Sequence, residues 1–98
     1  MAVLDERMAL ELVKARLNRL PGDTSLDDYL LARVRSALRE LDGLGIRLTG
    51  CTEDLILLVD YAVWQYQSRD SQTGMPDWLR LRRRERYLRQ RRETENDP

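Results

Sequence analysis

Eight arginines crowd between Arg80 and Arg92, against one acid, Glu85, for a local net charge of +7. Guanidinium forks suit carboxylate or phosphate recognition, because their donors match both groups in geometry and charge. Arg80, Arg82, Arg83, Arg84, Arg86 and Arg89, with Trp78 at the start of the run, are the candidate interface residues, facing a partner protein or a neighbouring subunit. Three readings stay open for the run: a solvated face, a protein interface, or a track along a nucleic-acid backbone, where each neutralised phosphate releases counterions. No helix-turn-helix spacing, zinc pattern or aromatic RNA-binding motif accompanies it. Asp60 is the other conspicuous charge, alone between Leu55 and Trp64. A catalytic carboxylate needs a second acid, a metal or a nucleophile nearby. Asp54, six residues earlier, does not share its face well. Asp60 is therefore expected to be a structural charge pair, with an arginine of the C-terminal helix or of another subunit, since a lone buried charge is costly.

Cys51 is the single cysteine, and the chain has no histidine to act as its base. It reads as a small buried residue just before a helix. The lack of histidine also removes the commonest metal ligand and the commonest general base near neutral pH. No catalytic residue, metal site or cofactor is expected, and the chain is not read as an enzyme. One cysteine allows no intramolecular disulfide, so a reducing compartment is the simpler assumption. The start M-A-V-L-D-E-R lacks a basic flank followed by an apolar run, so no signal peptide is expected and synthesis is placed in the cytoplasm.

The formal charge is zero over 98 residues, but the layout is polar. Positions 1–79 carry nine basic and thirteen acidic side chains, net −4, and the last six residues add −3. The chain is thus a mildly acidic body, a basic segment and an acidic end. Positions 1–92 are expected to form one helical domain, and 93–98 a flexible acidic tail.

The elements that must carry these residues are all helical. The most apolar stretch is Thr52–Tyr66, a helix that needs cover on several sides. It would span roughly 22 Å, short of the ~30 Å core of a bilayer, so no membrane partner is expected. Residues 5–19 read as a first helix, with Leu10, Val13 and Leu17 buried, Met8 and Leu12 widening the stripe, and Lys14 on the opposite face. Pro21-Gly22-Asp23 ends it. A second helix follows, capped by Thr24 or Ser25, with Leu30, Leu31, Val34, Ala37, Leu38 and Leu41 inward and Gly43 in a left-handed stop backed by Leu44. Thr52 caps the third helix. Pro76 opens a fourth, about 77–92, with Trp78, Leu81 and Leu88 on its buried stripe. Tyr61 and Trp64 read as core, and Trp78 as the best interface aromatic. The fold class is all-α, a small bundle of three to four helices with short connections.

The stretch D60-Y-A-V-W-Q-Y-Q-S-R-D-S-Q-T-G-M-P-D-W-L-R80 resembles the C-terminal half of small head-tail connector proteins (head-completion or adaptor proteins) of tailed bacteriophages and prophages. The shared pattern is an apolar helix ending in a Y-A-x-W-x-Y run, then Arg-Asp, a polar loop with Gly, and Met-Pro before a closing helix. Val13-Lys14-Ala15-Arg16-Leu17, the Pro-Gly-Asp-Thr turn and Asp27-Asp28-Tyr29-Leu30-Leu31 are similar to the family's opening, so the likeness covers roughly residues 8–88. It implies a compact helical subunit that assembles as a homo-oligomeric ring of about twelve copies beneath a portal protein. It also implies that packaged DNA passes through the ring's channel, and that the ring is a platform for the next neck or tail protein. The place implied is the head-tail junction of a virion, after assembly in the host cytoplasm. The arginine density after Leu79 exceeds the family pattern. The rival expectation is a small helical nucleic-acid-binding protein using residues 77–92.

Overall fold

The structure is a computed structural model that describes residues 4–69 and 74–95. Four helices follow one another: α1 (Glu6–Arg16), α2 (Asp27–Gly43), α3 (Thr52–Gln67) and α4 (Asp77–Glu95). No strand occurs among the described residues, so the molecule is a small all-α bundle.

α1 begins where Asp5 turns its carboxylate onto the amides of Arg7 and Met8, at 3.0 and 3.1 Å, satisfying two of the donors that a helix start leaves open. It ends at Asn18, whose φ of 58° lets the chain reverse; Asn18 N–H donates to Ala15 O and Arg19 N–H to Lys14 O. α2 ends by the same device. The helix runs through Gly43, and the left-handed residue is Gly45, at φ 87°. Gly45 N–H donates to Asp42 O and Ile46 N–H to Leu41 O, both about 3 Å. The stop therefore falls two residues beyond Gly43, and buried Ile46, not exposed Leu44, packs back on the helix. Two glycines stand within three positions, and continued hydrogen bonding carried the helix past the first.

The starts of α2 and α3 also differ from expectation. Thr24 and Ser25 do not cap α2; Asp23 instead binds the Ser25 amide and hydroxyl at 3.0 and 2.7 Å in a turn that delivers the chain to Leu26. Thr52 is the first helical residue of α3, not its cap, and the cap position belongs to Cys51, which is exposed where a buried residue was expected. Pro76 likewise stands one residue before α4; its carbonyl accepts from the amides of Leu79 and Arg80.

The core lies among α1, α2 and α3. Leu10 and Val13 of α1, Leu30, Val34, Ala37 and Leu41 of α2, and Leu57, Leu58, Tyr61 and Ala62 of α3 are all buried. α3 sits at the centre, so its nearly continuous apolar surface is covered as its sequence demands. Two features of α1 reverse expectation. Met8 and Leu12 are exposed, and Lys14 is buried. The Lys14 stem follows the core surface and its ammonium reaches Asp27 at 3.0 Å and the Pro21 carbonyl at 3.1 Å, tying α1 to the start of α2.

α4 extends beyond the expected end near 92 to Glu95, so positions 93–95 continue a helix rather than begin a tail. Positions 96–98 of that tail, and Asp70 to Thr73 of the polar loop, lie outside the described residues.

Candidate interaction site

α4 packs on α3 through a polar face. Leu79 is fully buried, Tyr87 half-buried, and between them Arg83, Arg86 and Gln90 point inward. Arg86 sits deepest. Its Nε donates to Asp54 Oδ1 at 2.8 Å and its Nη2 to Asp54 Oδ2 at 3.2 Å, a two-pronged pair with side chains 9% and 1% exposed. The same Nη2 donates to Arg47 O at 2.8 Å. Asp54 also accepts from the Thr49 amide at 2.7 Å and the Thr49 hydroxyl at 3.0 Å. Burial pushes the Asp54 carboxyl up, but the Arg86 guanidinium and the Thr49 donors outweigh it and hold the carboxyl below its ordinary value. Hydrogen bonding to Asp54 in turn raises the Arg86 guanidinium. Gln90 completes the joint, accepting from Arg47 N–H at 2.8 Å and donating to Gly45 O at 2.6 Å.

Asp60 holds a second joint. Arg16 of α1 and Arg82 of α4 both donate to it, Arg82 at 3.4 Å, so one carboxylate ties two helices to α3. The partner on α4 matches expectation in kind, whereas Arg16 had no sequence signal. Arg83 lies 3.5 Å from the hydroxyl of buried Tyr61, which donates to Glu40 at 3.0 Å. Burial, with Glu40 adding to it, raises the Tyr61 phenol above its ordinary value. Arg89 reaches Glu53 at 3.1 Å and Asp54 at 3.5 Å.

The arginines proposed as one interface thus separate into three sets. Arg86 is not an interface residue, because its fork is enclosed by Asp54 and Arg47 inside the chain. Arg82, Arg83 and Arg89 reach inward contacts but stay partly accessible. Arg80 is exposed, with a surface pair to Asp77 at 3.3 Å, and Arg84 is exposed with no ion pair among the described residues. The expected buried stripe of α4 faces outward instead. Trp78, Leu81 and Leu88 are 49%, 58% and 45% exposed. Leu79 and Arg86 mark the packed face, and at about 100° per residue the Trp78–Leu81–Leu88 stripe lies roughly a third of a turn away. The guanidinium of Arg82 lies over the Trp78 ring, 5.9 Å from its centroid.

Beside this stripe an open groove of about 540 Å³ runs between α3 and α4, floored by Leu57 and edged by Ile56, Glu85, Arg89 and Arg92. A smaller apolar hollow of about 290 Å³ lies beyond Ile56, against Leu12, Ala15 and Val59. The Y-Q-S-R end of α3 has a local role. Arg69 stacks on Tyr66, 4.1 Å from the ring centroid, and Ser68 Oγ donates to Trp64 O at 2.7 Å, closing the last turn. Among the described residues, no group of three or more cysteine, aspartate or glutamate side chains could hold a metal ion, and no helix is long and apolar enough to cross a membrane.

Fold and site together define a helical bundle that offers one half-apolar, arginine-edged helix to its surroundings. Comparison with protein-family models, curated proteins and solved structures finds no match for the chain.

Proposed function

We propose that this chain is a structural subunit of the head-tail connector type. It assembles as a ring beneath a phage portal, lengthens the DNA channel, and carries the next neck or tail protein at the head-tail junction. The observation that carries the reading is the outward stripe of Trp78, Leu81 and Leu88 on α4, three large apolar side chains left in solvent by a chain with a small core. The likeness of residues 8–88 to the connector pattern supports it. Heterologous contact between copies closes into a ring where the rotation between them permits it, and the arginine-rich helix seats that ring on the portal.

The test is co-sedimentation with portal after Arg80→Glu and Arg84→Glu together. Both side chains are exposed, so the fold should survive, and ring formation on the portal should be lost. Unchanged ring formation and portal association in a folded variant would sink the reading. Reversal at Arg86 is unsuitable, since it breaks the joint to α3.

A second reading, direct binding of nucleic acid by α4, draws on the exposed Arg80, Arg84 and Arg92. It is the weaker one, because Arg82, Arg83, Arg86 and Arg89 already have contacts within the chain and the stripe between the arginines is apolar. It requires affinity for duplex DNA that falls steeply with salt.

A further inference from the structure

We infer that the outer face of α4 receives an amphipathic helix from a different protein, apolar along its seam and acidic along both edges. This names the chemistry of the partner at the surface described above, and rests on the reading of that surface as an assembly face.

The spacing carries the argument. Trp78, Leu81, Glu85, Leu88 and Arg92 follow one another at intervals of three, four, three and four, the period that keeps one seam facing a partner helix. All five are exposed. With these as the two seam positions of a heptad, the flanking positions are Arg82 and Arg89 on one edge and Asp77, Arg84 and Arg91 on the other. Every edge position beyond the first residue of the helix is an arginine. Flanking charges decide which helix pairs with which, and two edges that are basic beyond Asp77, itself paired to Arg80, select acidic ones. Arg82 and Arg89 remain 56% and 39% exposed while reaching Asp60 and Glu53, so their guanidinium groups stay accessible at the rim.

The same pattern excludes a second copy of α4 as the occupant. In either orientation, pairing α4 with itself sets arginine edge against arginine edge, and like charges across an interface cost several kcal/mol. The other helices offer no suitable substitute among the described residues. The exposed side of α1 mixes Arg7 and Arg16 with Glu11 around Met8 and Leu12, and that of α2 alternates Asp28, Arg35, Arg39 and Asp42. Neither has an apolar seam with two acidic edges. Phosphate backbones would match the arginines but leave Trp78, Leu81 and Leu88 without apolar contact.

The surroundings also have the right shape. The α3–α4 groove shares Glu85 and Arg92 with the stripe and is floored by Leu57, so the seat is a trough rather than a bare ridge. A helix laid in such a trough anchors through its seam side chains. Trp78, at the end of the seam and under Arg82, is the residue type that most often dominates such contacts.

The experiment uses the full chain and a synthetic three-heptad peptide with leucine on its seam and glutamate on both edges. The controls are the same peptide with lysine edges and a short DNA duplex. Fluorescence anisotropy should show the glutamate peptide binding at least roughly tenfold tighter than the lysine peptide. A Leu81→Ser/Leu88→Ser variant should lose that preference while its circular dichroism and melting curve stay unchanged. Equal binding of the two peptides overturns the inference. So does preferential binding of the duplex, or self-association of the protein that the double substitution removes. Portal co-sedimentation separates the two levels. Peptide binding without portal association rejects the connector reading alone; portal association that survives Leu81→Ser/Leu88→Ser rejects the inference alone.

Discussion

α3 is held to its neighbours by two different kinds of joint. Against α1 and α2 it packs with Leu57, Leu58, Tyr61 and Ala62 on Leu10, Val13, Leu30, Val34 and Leu41. Against α4 it uses carboxylates: Asp54 with Arg86, and Asp60 with Arg82, the latter carboxylate shared with Arg16 of α1. Apolar burial is tolerant of direction and additive over area. A buried charge pair is neither; it depends on geometry, and one partner without the other is a penalty. The bundle is therefore a three-helix core with a fourth helix fastened largely by specific polar contacts, and that helix, Leu79 and Tyr87 apart, keeps its apolar residues for the outside.

The comparison can be broken most directly at its two strongest points. Leu58→Ala should cost about 2–5 kcal/mol and weaken the whole bundle together. Arg86→Ala should cost about 3–5 kcal/mol but release chiefly α4, because it strands Asp54 in the joint. Native-state hydrogen exchange distinguishes them. Equal loss of protection in α2 and α4 for Arg86→Ala would remove the distinction between the joints. Replacing both partners, Asp54→Leu with Arg86→Met, should recover most of that loss or all of it.

Acid should act on the polar joint selectively. The Asp54 carboxyl titrates below its unfolded value, so its contribution is present above about pH 4 and is lost as pH falls through the lower folded value. The stability difference between the wild type and Asp54→Asn should accordingly be constant near neutrality and shrink below about pH 4. Denaturant melts at a series of pH values check this, and a difference that grows on acidification would contradict it.

Gly45→Ala sharpens the comparison at the connection between α2 and α3. A left-handed backbone costs a side-chain-bearing residue about 1–2 kcal/mol. The added Cβ would also meet the Tyr87 ring of α4 at 3.3 Å, so part of the loss should appear as weaker α4 docking. The smallest effect is expected outside the joint. Leu81→Ser and Leu88→Ser should each change stability by no more than about 0.5 kcal/mol in thermal melts, since both face solvent.

α2 was legible because its pattern answers one question, which side is apolar, and Leu30, Val34, Ala37 and Leu41 give one answer. The same question misled at α4. Its apolar stripe is genuine, but the side facing the bundle is Leu79, Arg83, Arg86 and Gln90. Periodicity reports that a helix has two faces; it does not report which one a neighbour takes. Asp54 was harder to read, because its partner lies 32 residues away. A carboxylate three residues past a helix cap that reaches back to Thr49 is a local signal that was available. Asp60 was easier, since a charge inside an apolar helix needs a partner wherever that partner lies. Lys14 fell on the buried side because its stem is long enough to pass under α1 and still deliver the ammonium to Asp27.

Gln90 has one further consequence. Its amide faces the backbone of the 45–47 segment with one acceptor and one donor, at 2.8 Å to Arg47 N–H and 2.6 Å to Gly45 O. In effect a single side chain of α4 satisfies one donor and one acceptor in a segment that has no regular secondary structure of its own. The Arg47 proton is shielded only while α4 is seated, so its exchange rate is a stopwatch for the helix lifting away. One resolved amide resonance could then time the undocking of α4 without any label placed on that helix.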